Sequence, residues 1–311
     1  MDIKLLDGGL GSECSKRGFE IDTDPLWNAR LLISNQEDLK DIHKSFLEAG
    51  CDFIETSTYQ ASVEGFVTHA GLSKNEALNL ISRSGEIAVE AIEDFWSSLQ
   101  PAQTKDRCKP IAVGAIGPYG ACQHNMSEYH GNYVDDMTVQ DLKDWHRGRI
   151  EALLKSGVKM MSFETIPAIK EAEAIVSLLQ EFPDVTGWLA FTCKNGSETC
   201  HGESIQDAIA AISTCPNLSF VGINCCPPAF VTPLLQSAQK ASNGKPFVVF
   251  PNTRGNWTGC GWTGENAVED WESYIPEWIQ LGAKCIGGCC RTSPEDIQRI
   301  QQYIKNSLAT N

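Results

Sequence analysis

The sequence predicts a (β/α)8 barrel, and three observations carry the prediction. Short apolar runs alternate along the chain with longer segments of helical periodicity. The runs number eight: Leu5–Leu6, Phe53–Ile54, Ile111–Ile116, Val158–Phe163, Trp188–Phe191, Phe220–Ile223, Phe247–Phe250 and Lys284–Ile286. The chain has 311 residues, room for one large barrel or two modest domains, and strands separated by helices pair in parallel. An open doubly wound sheet is the runner-up. It would carry a GxGxxG loop after its first strand, and Asp7-Gly8-Gly9-Leu10-Gly11-Ser12 lacks that spacing.

Helices are predicted over Glu37–Ala49, Asn75–Leu99, Val139–Ser156, Ile169–Glu181, Ser204–Ser213, Phe230–Ser242, Ala267–Leu281 and Pro294–Ser307. In the first of these, Leu39, Ile42, Phe46 and Leu47 fall on one face. Ser293-Pro294-Glu295-Asp296 reads as a cap, a first-turn proline and acids that complement the helix dipole. Gly50, Gly157 and Gly282 each follow a helical stretch, where a left-handed terminus favours glycine. Gln100–Lys109 reads as a polar loop inside the fold.

Composition narrows the function. Hydrophobic residues make up 42% and charged residues 21%, as in an ordinary globular protein. With 25 Lys+Arg against 40 Asp+Glu the net charge is −15, which argues against a nucleic-acid footprint and mildly favours cationic ligands. No apolar run approaches the ~18 residues of a membrane span. The N-terminus lacks a basic start followed by a long apolar stretch, so a cytoplasmic protein is expected. The glycosylation patterns at Asn125, Asn195, Asn217 and Asn256 are then unused. Thirteen cysteines, an odd number in a chain large enough to build its own core, point to metal or thiol chemistry rather than a disulfide framework.

A barrel carries its active site at the C-terminal strand ends. Those ends read Asp7-Gly8-Gly9, Glu55 through Tyr59, Gly117-Pro118, Phe163-Glu164-Thr165, Cys193, Asn224-Cys225-Cys226, Pro251-Asn252 and Gly287-Gly288-Cys289-Cys290. Cys225, Cys289 and Cys290 would converge at the mouth as three zinc ligands with one position open. Adjacent strand residues face opposite ways, so Cys289 and Cys290 share an ion only if the strand has ended, and Gly287-Gly288 gives that freedom. Cys226 then points away and is structural. Cys14, Cys51, Cys108, Cys122, Cys215 and Cys285 read as core packing, while Cys193, Cys200 and Cys260 lack paired context.

Asp7-Gly8-Gly9, the segment Glu55 to Ser62, Phe163-Glu164-Thr165, Gly222 to Cys225 and Gly287 to Cys290 together resemble the zinc-dependent homocysteine S-methyltransferase family. The resemblance implies one homocysteine-binding (β/α)8 domain over residues 1–311, with Zn2+ on Cys225, Cys289 and Cys290 and the homocysteine sulfur as the next ligand. Betaine-using relatives carry a C-terminal extension involved in oligomerisation, and cobalamin-dependent ones append further modules. This chain looks most like the branch that takes a methyl group from a sulfonium donor, S-methylmethionine or S-adenosylmethionine, and a monomer is expected. Betaine as donor, and a non-catalytic zinc or thiol-sensing protein, are the alternatives. On the enzyme reading Glu164 holds the homocysteine ammonium with Asp7 as a second acid, and the Gly8 and Gly9 amides approach its carboxylate. Trp27 and Tyr59 attract the sulfonium by cation–π contact, and Thr58 offers a hydroxyl. The segment Gly255 to Trp262 has the glycine and aromatic content of a lid. The six histidines lack ligand spacing and read as non-catalytic.

Overall fold

The computed structural model describes residues 2–105, 107–253, 255–257, 262–263 and 271–309. Eight strands form one parallel sheet: β1 (Lys4–Leu5), β2 (Phe53–Glu55), β3 (Ile111–Ile116), β4 (Met160–Ile166), β5 (Thr186–Phe191), β6 (Leu218–Asn224), β7 (Phe247–Phe250) and β8 (Ala283–Ile286). Each pairs with its neighbours in sequence, β8 pairs with β1 through Leu5 opposite Ile286, and a parallel bridge from Leu6 to Phe53 joins β1 to β2. The sheet is therefore a nearly closed (β/α)8 barrel. All eight apolar runs are strands, because strands buried on both faces read as continuous hydrophobic stretches.

Helices α1 (Gln36–Ala49), α2 (Lys74–Ser98), α3 (Val139–Lys155), α4 (Ile169–Leu179), α5 (Ile205–Ser213), α6 (Pro228–Ala238), α7 (Ile275–Gln280) and α8 (Pro294–Ala309) alternate with the strands. Local chemistry sets their ends. Ser73 with Glu76 and Thr138 with Asp141 make reciprocal capping boxes on α2 and α3. At the start of α8 the Ser293 backbone N–H and hydroxyl donate to Asp296, whose own N–H returns to the Ser293 hydroxyl. Gly50 ends α1 at φ 110°, which a side chain would oppose.

Two apolar layers follow from strand alternation. Outward-facing Ile54, Leu189, Val221, Val249 and Ile286 pack against the helices. Inward-facing Leu6, Phe53, Val113, Trp188, Phe220, Val248, Phe250 and Cys285 fill the barrel, with the Trp188 ring 5.6 Å from Phe53 and 6.3 Å from Phe220. This plug is a solid floor, so polar chemistry is confined to the rim above it.

Some boundaries differ from the sequence reading. The predicted loop at Gln100–Lys109 holds a helical turn at Pro101–Thr104, opened by the proline. The predicted helix Ala267–Leu281 is a 3-10 turn at Trp271–Tyr274 running into α7, and its first four residues lie outside those described. Pro227-Pro228 starts α6 two residues early. Cys14, Cys51, Cys215 and Cys285 are buried as expected; Cys193 and Cys200, which lacked paired context in the sequence, are buried too. Cys122 is half-buried, its thiol donating to the Gln60 carbonyl. Cys108 is a correction: it lies exposed, because it falls in the polar approach to β3 rather than in the strand. Cys260 lies outside the described residues.

Candidate metal centre and active site

Cys225 follows β6 directly, in a left-handed conformation at φ 50° that turns its thiol into the mouth. Cys289 and Cys290 follow β8 after Gly287 and Gly288. The glycines are needed for space: a Cβ on Gly288 would lie 2.2 Å from the Thr292 hydroxyl, and one on Gly287 2.6 Å from the Leu6 Cβ. The turn is held by the Cys289 N–H on the Pro251 carbonyl at 2.8 Å and the Thr253 N–H on the Cys290 carbonyl at 3.0 Å. All three Sγ atoms lie within 4.8 Å of one another, and Cys225 and Cys290 are 4.0 Å apart. Tetrahedral zinc with Zn–S of about 2.3 Å separates its sulfurs by about 3.8 Å. Donor type, number and spacing thus fit a metal site of three cysteines with an open fourth position.

The thiols are electrostatically unequal. Cys289 and Cys290, with further help from the Tyr129 hydroxyl at 3.2 Å, hold the Cys225 thiol well below the ordinary thiol range. Cys289 and Cys290 are pushed upward by that same partnership. A bound cation would ease the loss of the remaining protons. Cys226, beside Cys225, turns the other way into the layer between barrel and helices, as strand alternation requires.

The thiols open on a cavity of about 650 Å3 whose lining includes acidic and aromatic side chains together with His124 and Arg291. Glu164 reaches it from near the end of β4 and is 6% exposed. Burial foremost, then the charges of Glu55, Cys225 and Asp7, raise its carboxyl well above the usual range. Glu55 at the end of β2 and Glu128 in the loop after β3 also line the cavity, and burial lifts each to about 7. Glu55 Oε1 and Glu128 Oε2 are buried without a hydrogen-bond partner among the described residues. Carboxyls and thiols held this way bind a cation more readily than an anion.

Several predicted residues meet in this cavity and others do not. Gly8, Gly9, Trp27, Tyr59, Glu164, Cys225, Cys289 and Cys290 all line it. Trp27 and Tyr59 meet edge to face, ring centroids 6.2 Å apart, and Trp27 packs so tightly that a Cβ on Gly11 would lie 2.3 Å from its ring. Asp7 is not among the lining residues; it is 1% exposed, with Oδ2 accepting the Glu55 N–H at 2.8 Å. Asp7 Oδ1 is buried without a hydrogen-bond partner among the described residues, and Glu55, not Asp7, lines the cavity. Thr58 is also off the cavity; its hydroxyl bonds the Ala115 carbonyl at 2.7 Å and the Thr56 hydroxyl. The Gly9 N–H is committed to the Thr292 carbonyl at 2.9 Å, and a Cβ on Gly8 would meet that carbonyl at 2.4 Å. Both glycines allow close packing of β1 on the Cys289–Thr292 turn, and the bond to Thr292 takes up the amide of Gly9.

Sequence reasoning missed Glu128 and Tyr129. Both lie in an irregular loop with no periodicity, and the only available signal was that the loop follows Gly117-Pro118 at a strand end. Of the histidines, His124 reaches the outer rim, while His43 and His146 are buried elsewhere, His146 bonded to Glu171 at 2.9 Å. In the predicted lid, Asn256–Trp257 pairs antiparallel with Trp262–Thr263, and residues 258–261 lie outside those described.

The family model for homocysteine S-methyltransferase matches residues 4–304. The chain belongs to the homocysteine S-methyltransferase family. It is 38% identical to Homocysteine S-methyltransferase 1 of Arabidopsis thaliana, over 97% of this chain and 93% of the relative. It is equally 38% identical to a Betaine-homocysteine S-methyltransferase of Drosophila melanogaster, over 96% and 92%. The metallated form of the homocysteine methyltransferase MmuM from Escherichia coli superposes with a TM-score of 0.85 at 32% identity, covering 97% of this chain and 96% of that one. This family member is accordingly a homocysteine S-methyltransferase with a three-cysteine cluster suited to a metal. Among the described residues no helix is long and apolar enough to cross a membrane.

Proposed function

We propose that the whole chain is one homocysteine-binding barrel that moves a methyl group from a sulfonium, S-methylmethionine or alternatively S-adenosylmethionine, onto homocysteine to give methionine. Zn2+ is the proposed metal, on Cys225, Cys289 and Cys290. The observation that carries the reading is a three-cysteine cluster sharing one cavity with buried carboxyls and the Trp27–Tyr59 pair. A monomer in the cytoplasm is the proposed setting.

Zinc, when bound, would supply the Lewis acidity that keeps the acceptor sulfur a thiolate at neutral pH. Three cysteinates would give a Zn2+ centre a net charge of about −1, which would favour an electron-rich acceptor sulfur. Glu164 accepts the homocysteine ammonium, with Glu55 beside it. Trp27 and Tyr59 line the same cavity, where ring faces attract the donor's positive sulfur. The donor leaves as a neutral thioether and no proton moves at the carbon, so the protein's task is to orient two sulfurs and exclude water.

Betaine is the second reading, favoured by the name of the Drosophila relative. Reduced, zinc-loaded protein with homocysteine, assayed for methionine with S-methylmethionine, S-adenosylmethionine and betaine in turn, separates the two. Turnover with a sulfonium, abolished in Cys289→Ala, is expected. Turnover with betaine alone moves the chain to the other donor, and no turnover with any donor refutes the proposal.

A further inference from the structure

The carboxylate strand and the thiolate strand are joined by one buried amide. Asn224, the last residue of β6, is 0% exposed. Its Oδ1 accepts the Thr165 N–H at 2.7 Å and its Nδ2 donates to the Thr165 hydroxyl at 2.8 Å. Its chain neighbour is Cys225, and the neighbour of Thr165 is Glu164.

The backbone shows why this contact is needed. Pairing of β4 with β5 runs from Phe163 opposite Leu189 to Ile166 opposite Phe191, so β4 spends three steps where β5 spends two. Glu164 and Thr165 thus form a β-bulge, a device that re-aims a side chain and leaves ladder groups unpaired. Thr165 sits at φ 59°, which a β-branched residue strongly disfavours. The Asn224 side chain crosses above β5 to supply the partner that β5 does not give. Interior layers of such barrels draw on alternate strands, which places β4 and β6 within reach of each other.

We propose that Asn224 is a positioning residue: it pins the bulge that aims Glu164 into the cavity and so sets the distance between the carboxyl and the Cys225 thiol. The consequence for binding rests on the proposed role of Glu164 toward the ammonium. With Asn224→Ala, Thr165 relaxes to extended backbone and Glu164 swings off its site.

The test is a double-mutant cycle of Asn224→Ala and Thr165→Gly on zinc-loaded protein, read by homocysteine affinity in calorimetry and by zinc affinity in chelator competition. Glycine holds φ near 60° unaided. Asn224→Ala alone should weaken homocysteine at least tenfold, in the range that loss of outer-shell support gives at metal sites. Added to Thr165→Gly it should cost less than about threefold, the coupling expected if both residues act through the one backbone conformation at Thr165. The double variant also keeps the test open should Asn224→Ala fold poorly. Equal losses in both backgrounds overturn the proposal, as does wild-type homocysteine and zinc affinity in Asn224→Ala. A crystal structure of Asn224→Ala decides the clamp independently of what Glu164 binds: an extended Thr165 supports it, and φ still near 60° overturns it. Wild-type homocysteine affinity in Glu164→Gln, by contrast, would strike only at the ammonium reading.

Discussion

Replacing Glu164 by Gln should weaken substrate binding and strengthen the fold at once. The carboxyl is 6% exposed, and burial with the charges of Glu55, Cys225 and Asp7 opposes its ionisation. Gln keeps the shape and one acceptor and removes the charge. A charge-assisted hydrogen bond in such a site is worth about 1.5–3 kcal/mol, so the homocysteine Kd should rise about tenfold to 150-fold. The ammonium is remote from the reacting sulfur, so KM should rise while kcat is largely kept. The stability sign is opposite. A carboxyl whose pKa is raised on folding holds its proton more tightly in the folded state, so stability falls as pH climbs from the ordinary Glu value through the folded one. The variant escapes that cost, so it should melt higher than wild type at pH 8, well above the ordinary Glu value, with the gap closing at pH 4. Calorimetry with homocysteine on zinc-loaded protein and thermal melts at the two pH values measure both effects. Unchanged Kd, or a lower melting temperature at pH 8, would refute the placement of Glu164 as a strained buried acid waiting for a cation.

Glu128 offers a cleaner view of the same electrostatics, since burial takes it from 4.5 to about 7. The metal-free protein should lose on the order of 3 kcal/mol between those pH values through this group, and Glu128→Gln should flatten that slope in urea titrations at pH 5 and 8; parallel slopes would contradict it. Gly288→Ala forces a Cβ to within 2.2 Å of Thr292. It should cost about 1–3 kcal/mol of stability and loosen zinc by displacing Cys289 and Cys290, and wild-type melting with wild-type zinc affinity would count against that packing.

The barrel was legible because its strands are buried on both faces, so each of the eight runs, down to the two residues of Leu5–Leu6, appears as an apolar word between helical periods. The thiol cluster was legible for a related reason. Cys225 and the Cys289-Cys290 pair stand where apolar runs stop, and in a parallel barrel every stop lies on one rim. Glu164 was found by the same logic.

What the sequence by itself determined, then, is the strand count, the shared rim and the chemistry gathered on it, since each is written in local periodicity. Tertiary structure alone decided which rim side chains turn inward. Asp7 and Thr58 follow β1 and β2 on the same rim as Glu164, yet Asp7 Oδ2 accepts the Glu55 N–H and the Thr58 hydroxyl donates to the Ala115 carbonyl. Glu55 and Glu128 line the cavity in their stead. Whether Thr165 bulges depends on an amide 59 residues away. Long-range hydrogen bonds of this kind leave no period in the chain, because their partners become neighbours only when the barrel closes.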